Sequence, residues 1–193
     1  MARGYQQHSL DEAVYAPVAQ MVTIRILLTL LLEYDLHVLQ LDVNSAFLHG
    51  ILDKPVYMCK PDGLILDNSV KVVCRLNKAL YGLKQAPKCW NSLFNDTLNN
   101  LGLKRSKKDP CLYFNSNLFL LIYVDDMIIF AKSINDLLYI KNDLSKVFKL
   151  KEFNDNKKLM FLGLEIEISS KELFITQKAL VKKILKKFNN VQK

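Results

Sequence analysis

Two adjacent aspartates interrupt an apolar stretch near the middle of the chain, and this feature constrains the fold most. Leu118–Ile122 precedes Tyr123-Val124-Asp125-Asp126, and Met127–Phe130 follows it. Both apolar runs are short and rich in β-branched and aromatic residues, which favours two strands joined by a tight turn. We therefore predict a β-hairpin with Asp125 and Asp126 at its tip.

An ordinary surface turn is the alternative for this pair, because turns select Asp for local hydrogen bonding. Adjacent carboxylates repel each other, and Asp tolerates positive φ less well than Gly, so the turn carries a cost. The apolar strands on both sides favour a metal site, which needs carboxylates on rigid elements and a cation to offset their repulsion.

Composition sets broad limits on the class of protein. The 193 residues are 50% hydrophobic, enough for one domain and a small subdomain. The 27 Lys and Arg against 19 Asp and Glu give a net charge of +8, which suits a polyanionic partner such as nucleic acid or simply a basic protein. The most hydrophobic stretch, Ile26–Leu32, is too short for a membrane span, so we expect no membrane partner.

Cysteine and histidine spacing argues against a zinc site and a disulfide framework. The four cysteines form no C-x-x-C pair, and the three histidines lack zinc-ligand spacing. No signal pattern is visible at the N-terminus. We expect reduced core thiols in a protein that is cytoplasmic or nuclear and not secreted. The cysteines are Cys59, Cys74, Cys89 and Cys111.

Periodicity places mixed helices and strands along the chain. A helix is predicted from Pro17 to Tyr34, with Pro17 at its first position. A second helix is predicted from Trp90 to Leu101, with Trp90 and Phe94 in the core. A third is predicted over Ser133–Phe148, where it begins with a capping box and Val147 points inward. A fourth is predicted after a Thr176 cap, and its inward residues are Leu180, Ile184, Leu185 and Phe188. Strands are predicted at Val38–Val43, Val56–Cys59, Val70–Arg75, Cys111–Phe114, Phe161–Ile168 and Glu172–Ile175.

A third aspartate, Asp42, lies within the predicted strand Val38–Val43, where Asp is disfavoured. It either ends the strand and caps the turn that follows, or serves the same site as Asp125 and Asp126. If this strand and the hairpin are neighbours in one antiparallel sheet, the three carboxylates form an oxygen-rich site suited to Mg²⁺. Paired divalent ions about 3.5–4 Å apart activate a 3′-hydroxyl and neutralise a leaving pyrophosphate, which is the chemistry of nucleotidyl transfer.

Two further features suit a phosphate-bearing ligand, although each has an ordinary structural explanation. Gly82 precedes a predicted helix, so another molecule could approach the backbone near that helix N-terminus. The last predicted helix carries a lysine face that is either simply solvated or contacts phosphates. These lysines are Lys178, Lys182, Lys183, Lys186 and Lys187.

Four segments in this order closely resemble the reverse transcriptase of copia-type LTR retrotransposons. They are Leu39–Gly50, Arg75–Trp90, Tyr123–Asp126 and Phe161–Glu165. The similarity covers essentially the whole chain, and the combination is highly specific. It implies an α+β fold, a right-hand polymerase palm in which an antiparallel sheet is backed by helices, with partial fingers. It also implies an RNA-directed DNA polymerase that extends a primer with dNTPs on an RNA or DNA template.

The resemblance assigns roles to individual residues. Asp42 and Asp125 would ligate two Mg²⁺ ions, with Mn²⁺ as an alternative, and Asp126 would complete the catalytic set. Phe47 would screen the sugar 2′ position, unless it is plain core packing. The residues beside the nucleotide and template would be Ala46, Phe47, Tyr81, Gly82 and Gln85. The primer grip would be Phe161, Leu162 and Gly163, whose alternation ordinary sheet packing explains equally well.

The resemblance also sets expectations about the gene product. Residues 1–193 correspond to the palm with partial fingers, truncated at both ends and without ribonuclease H or integrase. In the family, the finger segment begins upstream of Ala2-Arg3-Gly4-Tyr5 and brings Lys and Arg to the triphosphate, so these cations are expected to be missing. We expect weak or no activity from the chain alone and, as partners, the remainder of the Pol polyprotein within a virus-like particle. A catalytically silent remnant that binds nucleic acid through its basic surface is the alternative. Asn44, His49 and Lys88-Cys89 depart from the family pattern without touching a predicted ligand.

Overall fold

The computed structural model describes residues 2–7, 16–61, 63, 72–153, 155, 157–169 and 172–189. The chain divides into two compact units. The first comprises Met1–Pro17 and Ser45–Asn100, and the second comprises Val18–Asn44 and Leu101–Lys193.

The secondary structure mixes helices with antiparallel strands, which confirms the predicted α+β class. The helices are α1 (Met21–Glu33), α2 (Ala86–Asn100), α3 (Ile134–Val147) and α4 (Lys178–Asn189). The strands are β1 (His37–Val43), β2 (Val56–Cys59), β3 (Val73–Leu76), β4 (Lys104–Arg105), β5 (Leu112–Phe114), β6 (Leu118–Tyr123), β7 (Asp126–Ala131), β8 (Leu150–Glu152), β9 (Lys158–Phe161), β10 (Leu164–Ile168) and β11 (Leu173–Thr176). Short 3-10 turns cover Gly4–Gln6 and Ala46–His49.

A six-stranded antiparallel sheet organises the second unit, in the order β4-β5-β6-β7-β1-β8. The predicted hairpin is its β6–β7 pair, which lies near the centre of the sheet. Most side chains of both strands are buried, and Leu120, Ile128 and Phe130 are fully buried. The non-alternating apolar runs are explained by this burial, since both faces of a central strand are covered.

Helix α3 packs against β1 and β7. Ser133 caps this helix as predicted, because the Asp136 backbone N–H donates to Ser133 Oγ at 3.2 Å. The Asp136 carboxylate accepts from the Ser133 hydroxyl at 2.6 Å, whereas in a full capping box it accepts from the backbone N–H of the capping residue. Leu144 is fully buried, whereas Val147, which was predicted to point inward, is 51% exposed. The inward stripe therefore ends one turn before the helix does.

A three-stranded sheet, ordered β11-β10-β9, completes the second unit. The prediction of one continuous strand over Phe161–Ile168 is wrong, because the chain turns at Leu162 and Gly163 to join β9 to β10. Both turn residues adopt left-handed backbone, with φ of 52° and 73°. Two consecutive positive φ values are typical of a type I′ hairpin turn, which alternation of side chains alone does not reveal.

Helix α1 begins at Met21 and not at Pro17. The carboxylate of Asp109, buried in the β4–β5 connection, accepts hydrogen bonds from the Gln20 N–H at 3.0 Å and the Thr23 hydroxyl at 2.5 Å. Orphan N–H groups at a helix start need such acceptors. The start of α1 is therefore fixed by a residue far away in sequence. Asp109 also accepts from the Cys111 N–H at 2.9 Å.

Helix α4 confirms a predicted element but not its predicted burial. All its described side chains are exposed, and the residues predicted to face inward are 45–64% exposed: Leu180, Ile184, Leu185 and Phe188. An amphipathic pattern indicates a helix with an apolar stripe, and burial requires a partner surface. No element among the described residues covers this stripe.

The first unit contains the antiparallel β2–β3 pair and α2. Trp90 and Phe94 are buried, as predicted. The thiols are free, as predicted, but Cys59 is exposed, so the expectation that all four cysteines lie in the core is wrong. Part of the predicted strand Val70–Arg75 falls outside the described residues. None of the helices in the described part of the chain is both long and apolar enough to cross a membrane.

Candidate active site

Strand pairing brings the three predicted catalytic aspartates to one end of the central sheet. Asp42 on β1 lies opposite Asp126 on β7 in the antiparallel register. The next residue of β1, Val43, donates its N–H to the backbone oxygen of Asp125 at 2.9 Å, which fixes the hairpin turn to the end of β1. Residues directly opposite in an antiparallel pair present their side chains on the same face.

The turn of the hairpin differs from the prediction by one position. Tyr123 pairs with Asp126, so the two loop residues are Val124 and Asp125, and Asp126 begins β7. The positive φ, 61°, falls on Val124. A single positive φ at the first central residue matches a type II′ turn. A β-branched residue in this conformation is strained, and such strain persists only where the surrounding structure imposes it.

The aspartates perturb one another electrostatically. Burial, followed by the charges of Asp125 and Asp42, raises the pKa of Asp126. Burial, followed by the charge of Asp125, also raises the pKa of Asp42, while the nearby Lys151 ammonium partly opposes this rise. Both carboxylates are therefore harder to ionise than an exposed aspartate, and a cation beside them would relieve this cost.

The donor set suits a hard divalent cation. All three groups offer carboxylate oxygens, the ligand type that Mg²⁺ and Mn²⁺ prefer. Among the residues that the structure describes, no three acidic, imidazole or thiol groups converge into a preformed metal cage. Mg²⁺ usually binds through one or two carboxylates together with substrate phosphates and not in an all-protein cage. The aspartates fit a metal that is held jointly by protein and nucleotide.

Lys151 and Gln40 are neighbours of Asp42 in the sheet, and the sequence patterns missed both. Lys151 lies on β8, directly opposite Asp42. The strand is only three residues long, so no periodicity identifies it. Gln40 stands two residues before Asp42 and is 2% exposed. A polar residue inside an apolar strand was the available signal for Gln40.

The predicted nucleotide-binding residues belong to the first unit. Ala46 is fully buried in the 3-10 turn that Phe47 shares. The Phe47 and Tyr81 rings contact each other, with centroids 4.8 Å apart. Phe47 is only partly buried and packs against a core cluster that includes Ala79 and Leu83. It therefore packs on the core while keeping part of its surface exposed.

Gly82 is required by the chain's own backbone. Its φ is +96°, and a Cβ at this position would lie 2.0 Å from the Ala2 carbonyl oxygen. The Ala2 N–H donates to the Tyr81 oxygen at 2.7 Å, and the Gln7 side chain donates to Gln85 Oε1 at 2.8 Å. The close approach that was expected from another molecule is made here by residues 2–7. These contacts hold the loop that carries Tyr81, Gly82 and Gln85.

The predicted primer-grip residues lie at the tip of the β9–β10 hairpin in the second unit. The side chain of Phe161 is 1% exposed and belongs to the core. Leu162 and Gly163 form the turn. Gly163 is exposed and Leu162 is half-buried, while Phe161 anchors the hairpin.

Comparison with known proteins shows which sequences and structures this chain resembles. A family model described as "Reverse transcriptase (RNA-dependent DNA polymerase)" matches residues 1–193. The Retrovirus-related Pol polyprotein from transposon TNT 1-94 of Nicotiana tabacum is 36% identical over 98% of this chain and 15% of its own length. The corresponding polyprotein from transposon RE1 of Arabidopsis thaliana is 35% identical over 99% of this chain and 13% of its own length.

A solved structure of apo telomerase from Candida tropicalis is 13% identical, with a TM-score of 0.49 over 82% of this chain and 40% of that one. The chain thus spans about a seventh of the length of the curated relatives named above.

Proposed function

Because this chain belongs to the reverse transcriptase family of copia-type Pol polyproteins, we propose that it adds dNTPs to a primer 3′-hydroxyl on an RNA or DNA template. The observation that carries the proposal is the register that sets Asp42 opposite Asp126, with Asp125 in the adjoining turn. The ribonuclease H and integrase portions of a Pol polyprotein are its proposed partners.

The three aspartates would hold the divalent cations, for which we propose Mg²⁺. Two such ions, when bound, neutralise charge at the attacking hydroxyl and at the leaving pyrophosphate. The protein's own contribution is position. Asp42 and Asp126 are held by the strand ladder, and the Asp125 backbone is hydrogen bonded to Val43. Fixed charges on rigid strands need little reorganisation during the reaction, which is the main source of catalysis where no protein nucleophile acts.

We further propose that Phe47 selects deoxynucleotides. An aromatic ring beneath the ribose leaves no room for a 2′-hydroxyl, and the contact with Tyr81 at 4.8 Å would hold the ring in place. Replacing Phe47 by Val is expected to raise ribonucleotide incorporation relative to deoxynucleotide incorporation. A loss of thermal stability with unchanged selectivity would show that Phe47 is only a packing residue.

Primer extension with purified protein tests the proposed function. Asp125→Asn is expected to reduce Mg²⁺-dependent incorporation by about 100-fold or more, since it removes a carboxylate that would hold the divalent cations at the reacting phosphates. Asp53→Asn is the matched control, because Asp53 is an exposed aspartate in the first unit that has no predicted catalytic role. Equal incorporation by wild type and Asp125→Asn would dismiss Asp125 as a metal ligand. Salt-sensitive binding to primer–template without incorporation would reject polymerase activity and select the silent alternative.

A further inference from the structure

The buried side chain of Gln40 joins the two sheets of the second unit. Its amide nitrogen donates to the backbone oxygen of Met160 at 2.7 Å, and its amide oxygen accepts from the Met160 N–H at 3.2 Å. Both polar ends of one side chain therefore bond to the two backbone groups of a single residue. Gln40 is 2% exposed, so its own end of both bonds is shielded from bulk water.

The two partners of this contact occupy informative positions. Side chains two residues apart on a strand share a face, so Gln40 lies on the same face of β1 as Asp42. Met160 lies on β9, the edge strand of the three-stranded sheet, and the hairpin tip at Leu162 and Gly163 follows two residues later. The amide thus connects the strand that carries a catalytic aspartate to the hairpin that carries the predicted primer grip.

The contact also completes a sheet edge. An edge strand has backbone N–H and C=O groups without a strand partner, and burying them unpaired is costly. The Gln40 side chain supplies one donor and one acceptor, which imitates the pairing of another strand at Met160. An apolar residue could fill the same space, but it would not fix the position of β9 along β1, because hydrogen bonds are directional and apolar contacts are not.

We propose that Gln40 is a positioning residue that sets the β9–β10 hairpin, and with it the primer terminus, relative to Asp42. The proposal rests on the proposed polymerase function. Displacing a reactant by about 1 Å can slow a reaction about 100-fold, so a contact that fixes this spacing affects the chemical step without touching the substrate.

Amide hydrogen exchange in Gln40→Met tests the contact itself. Methionine has a similar length and cannot form either bond. The Met160 N–H is expected to exchange at least tenfold faster than in wild type. The Phe153 N–H is the internal control, because it donates at 3.2 Å to the backbone oxygen of Gln40, which the substitution leaves in place. Wild-type protection of Met160, or equal loss at Met160 and Phe153, would overturn the proposal.

A second measurement needs no variant. In the wild-type protein, the side-chain amide protons of Gln40 are expected to exchange at least tenfold more slowly than those of Gln6, which is exposed. Equal exchange of the two side-chain amides would refute the contact even if Gln40→Met failed to fold.

Primer extension separates positioning from folding. With active-site concentration determined by burst titration, Gln40→Met is expected to lower kcat about tenfold and to change the Kd for primer–template less than twofold. An unchanged kcat per active site, with only a smaller active fraction, would assign Gln40 a merely structural role. Failure of the wild-type chain to extend a primer would reject the proposed function instead, and the exchange measurements would still decide whether the contact exists.

Discussion

The ionised carboxylates of Asp42 and Asp126 lower the stability of the folded protein. The folded-state pKa of Asp126 is raised by burial and then by its neighbours Asp125 and Asp42. A raised carboxyl pKa means that the folded state binds the proton more tightly than the unfolded state does. Stability is therefore lost as the pH rises from the unfolded value of 3.8 through the raised folded pKa.

Replacing Asp126 by Asn removes this cost. At pH 7 in EDTA we expect Asp126→Asn to have a higher Tm than wild type, and we expect the difference to shrink as the pH falls toward 3.8. Thermal unfolding followed by circular dichroism at several pH values measures both effects. Adding Mg²⁺ should raise the Tm of wild type more than that of the variant. A wild type that is more stable than Asp126→Asn at pH 7 in EDTA would contradict this account.

The sequence identified the three aspartates but not the residues that modulate them. Hydrophobic runs flank Asp125 and Asp126, and Asp is unusual inside a strand, so local patterns singled out all three as candidates, while their roles as metal ligands came from the resemblance to a family. Lys151 affects Asp42 only because β8 pairs with β1. Gln40 matters because β9 lies beside its side chain. Interactions that arise from the pairing of distant strands leave no local signal.

At the level of elements, Glu165 explains how α4 begins. Its Oε1 accepts a hydrogen bond from the Ala179 N–H at 2.7 Å, in the first turn of the helix. The Thr176 hydroxyl, which was predicted to cap this helix, instead donates to Glu165 Oε2 at 3.4 Å. A carboxylate near a helix N-terminus satisfies an orphan N–H group and interacts favourably with the helix dipole.

Glu165→Ala should therefore loosen α4. The loss of an N-terminal acceptor costs about 1 kcal/mol, which is about a fivefold faster amide exchange in the first turn of the helix. Glu165→Gln keeps an acceptor oxygen, so its amide exchange rate in this turn should lie between those of wild type and Glu165→Ala. Glu167→Ala is the matched control, because Glu167 shares the face of β10 with Glu165 and is exposed. If Glu165→Ala and Glu167→Ala had the same effect on exchange in α4, the change in charge and not the cap would be responsible.

Helix starts show why some element boundaries could not be predicted. Pro17 suits a first helical position, but α1 begins only at Met21, where the Asp109 carboxylate meets the Gln20 N–H. Ser133 and Asp136 were found correctly because both lie within one turn of the helix that they cap. Caps that are local in sequence can be recognised from the sequence, and caps supplied by a distant loop cannot.

At the scale of the whole molecule, the hairpin determined most of what could be predicted. The sequence analysis placed β1 beside the hairpin on the assumption that the three carboxylates share a site. The antiparallel register of β1 with β7 confirms that these strands are neighbours. The outer strands β4 and β8 are two and three residues long, too short for alternation to be detected. The apolar stripe of α4 was predicted correctly as a pattern and wrongly as a buried surface, because periodicity does not show what covers a helix.

The net charge of +8 leads to a prediction about how the whole molecule binds nucleic acid. Lysines on α4 are exposed, and the described residues contain no acidic partner within salt-bridge distance of Lys182 or Lys186. On α3, in contrast, Lys141 pairs with Glu152 and Lys146 pairs with Asp143. Unpaired lysines remain available to phosphates, whereas paired lysines are already partly neutralised.

The double variant Lys182→Gln/Lys186→Gln should therefore weaken binding to primer–template more than Lys141→Gln/Lys146→Gln does, although each removes two charges. If both α4 lysines contact phosphates, the slope of log K against log salt should become shallower by about 1.4–1.8. Fluorescence anisotropy between low and physiological salt measures the slope, and thermal unfolding confirms that both variants are folded. Equal slopes for the two double variants would show that binding depends on net charge alone and that α4 has no particular role in holding nucleic acid.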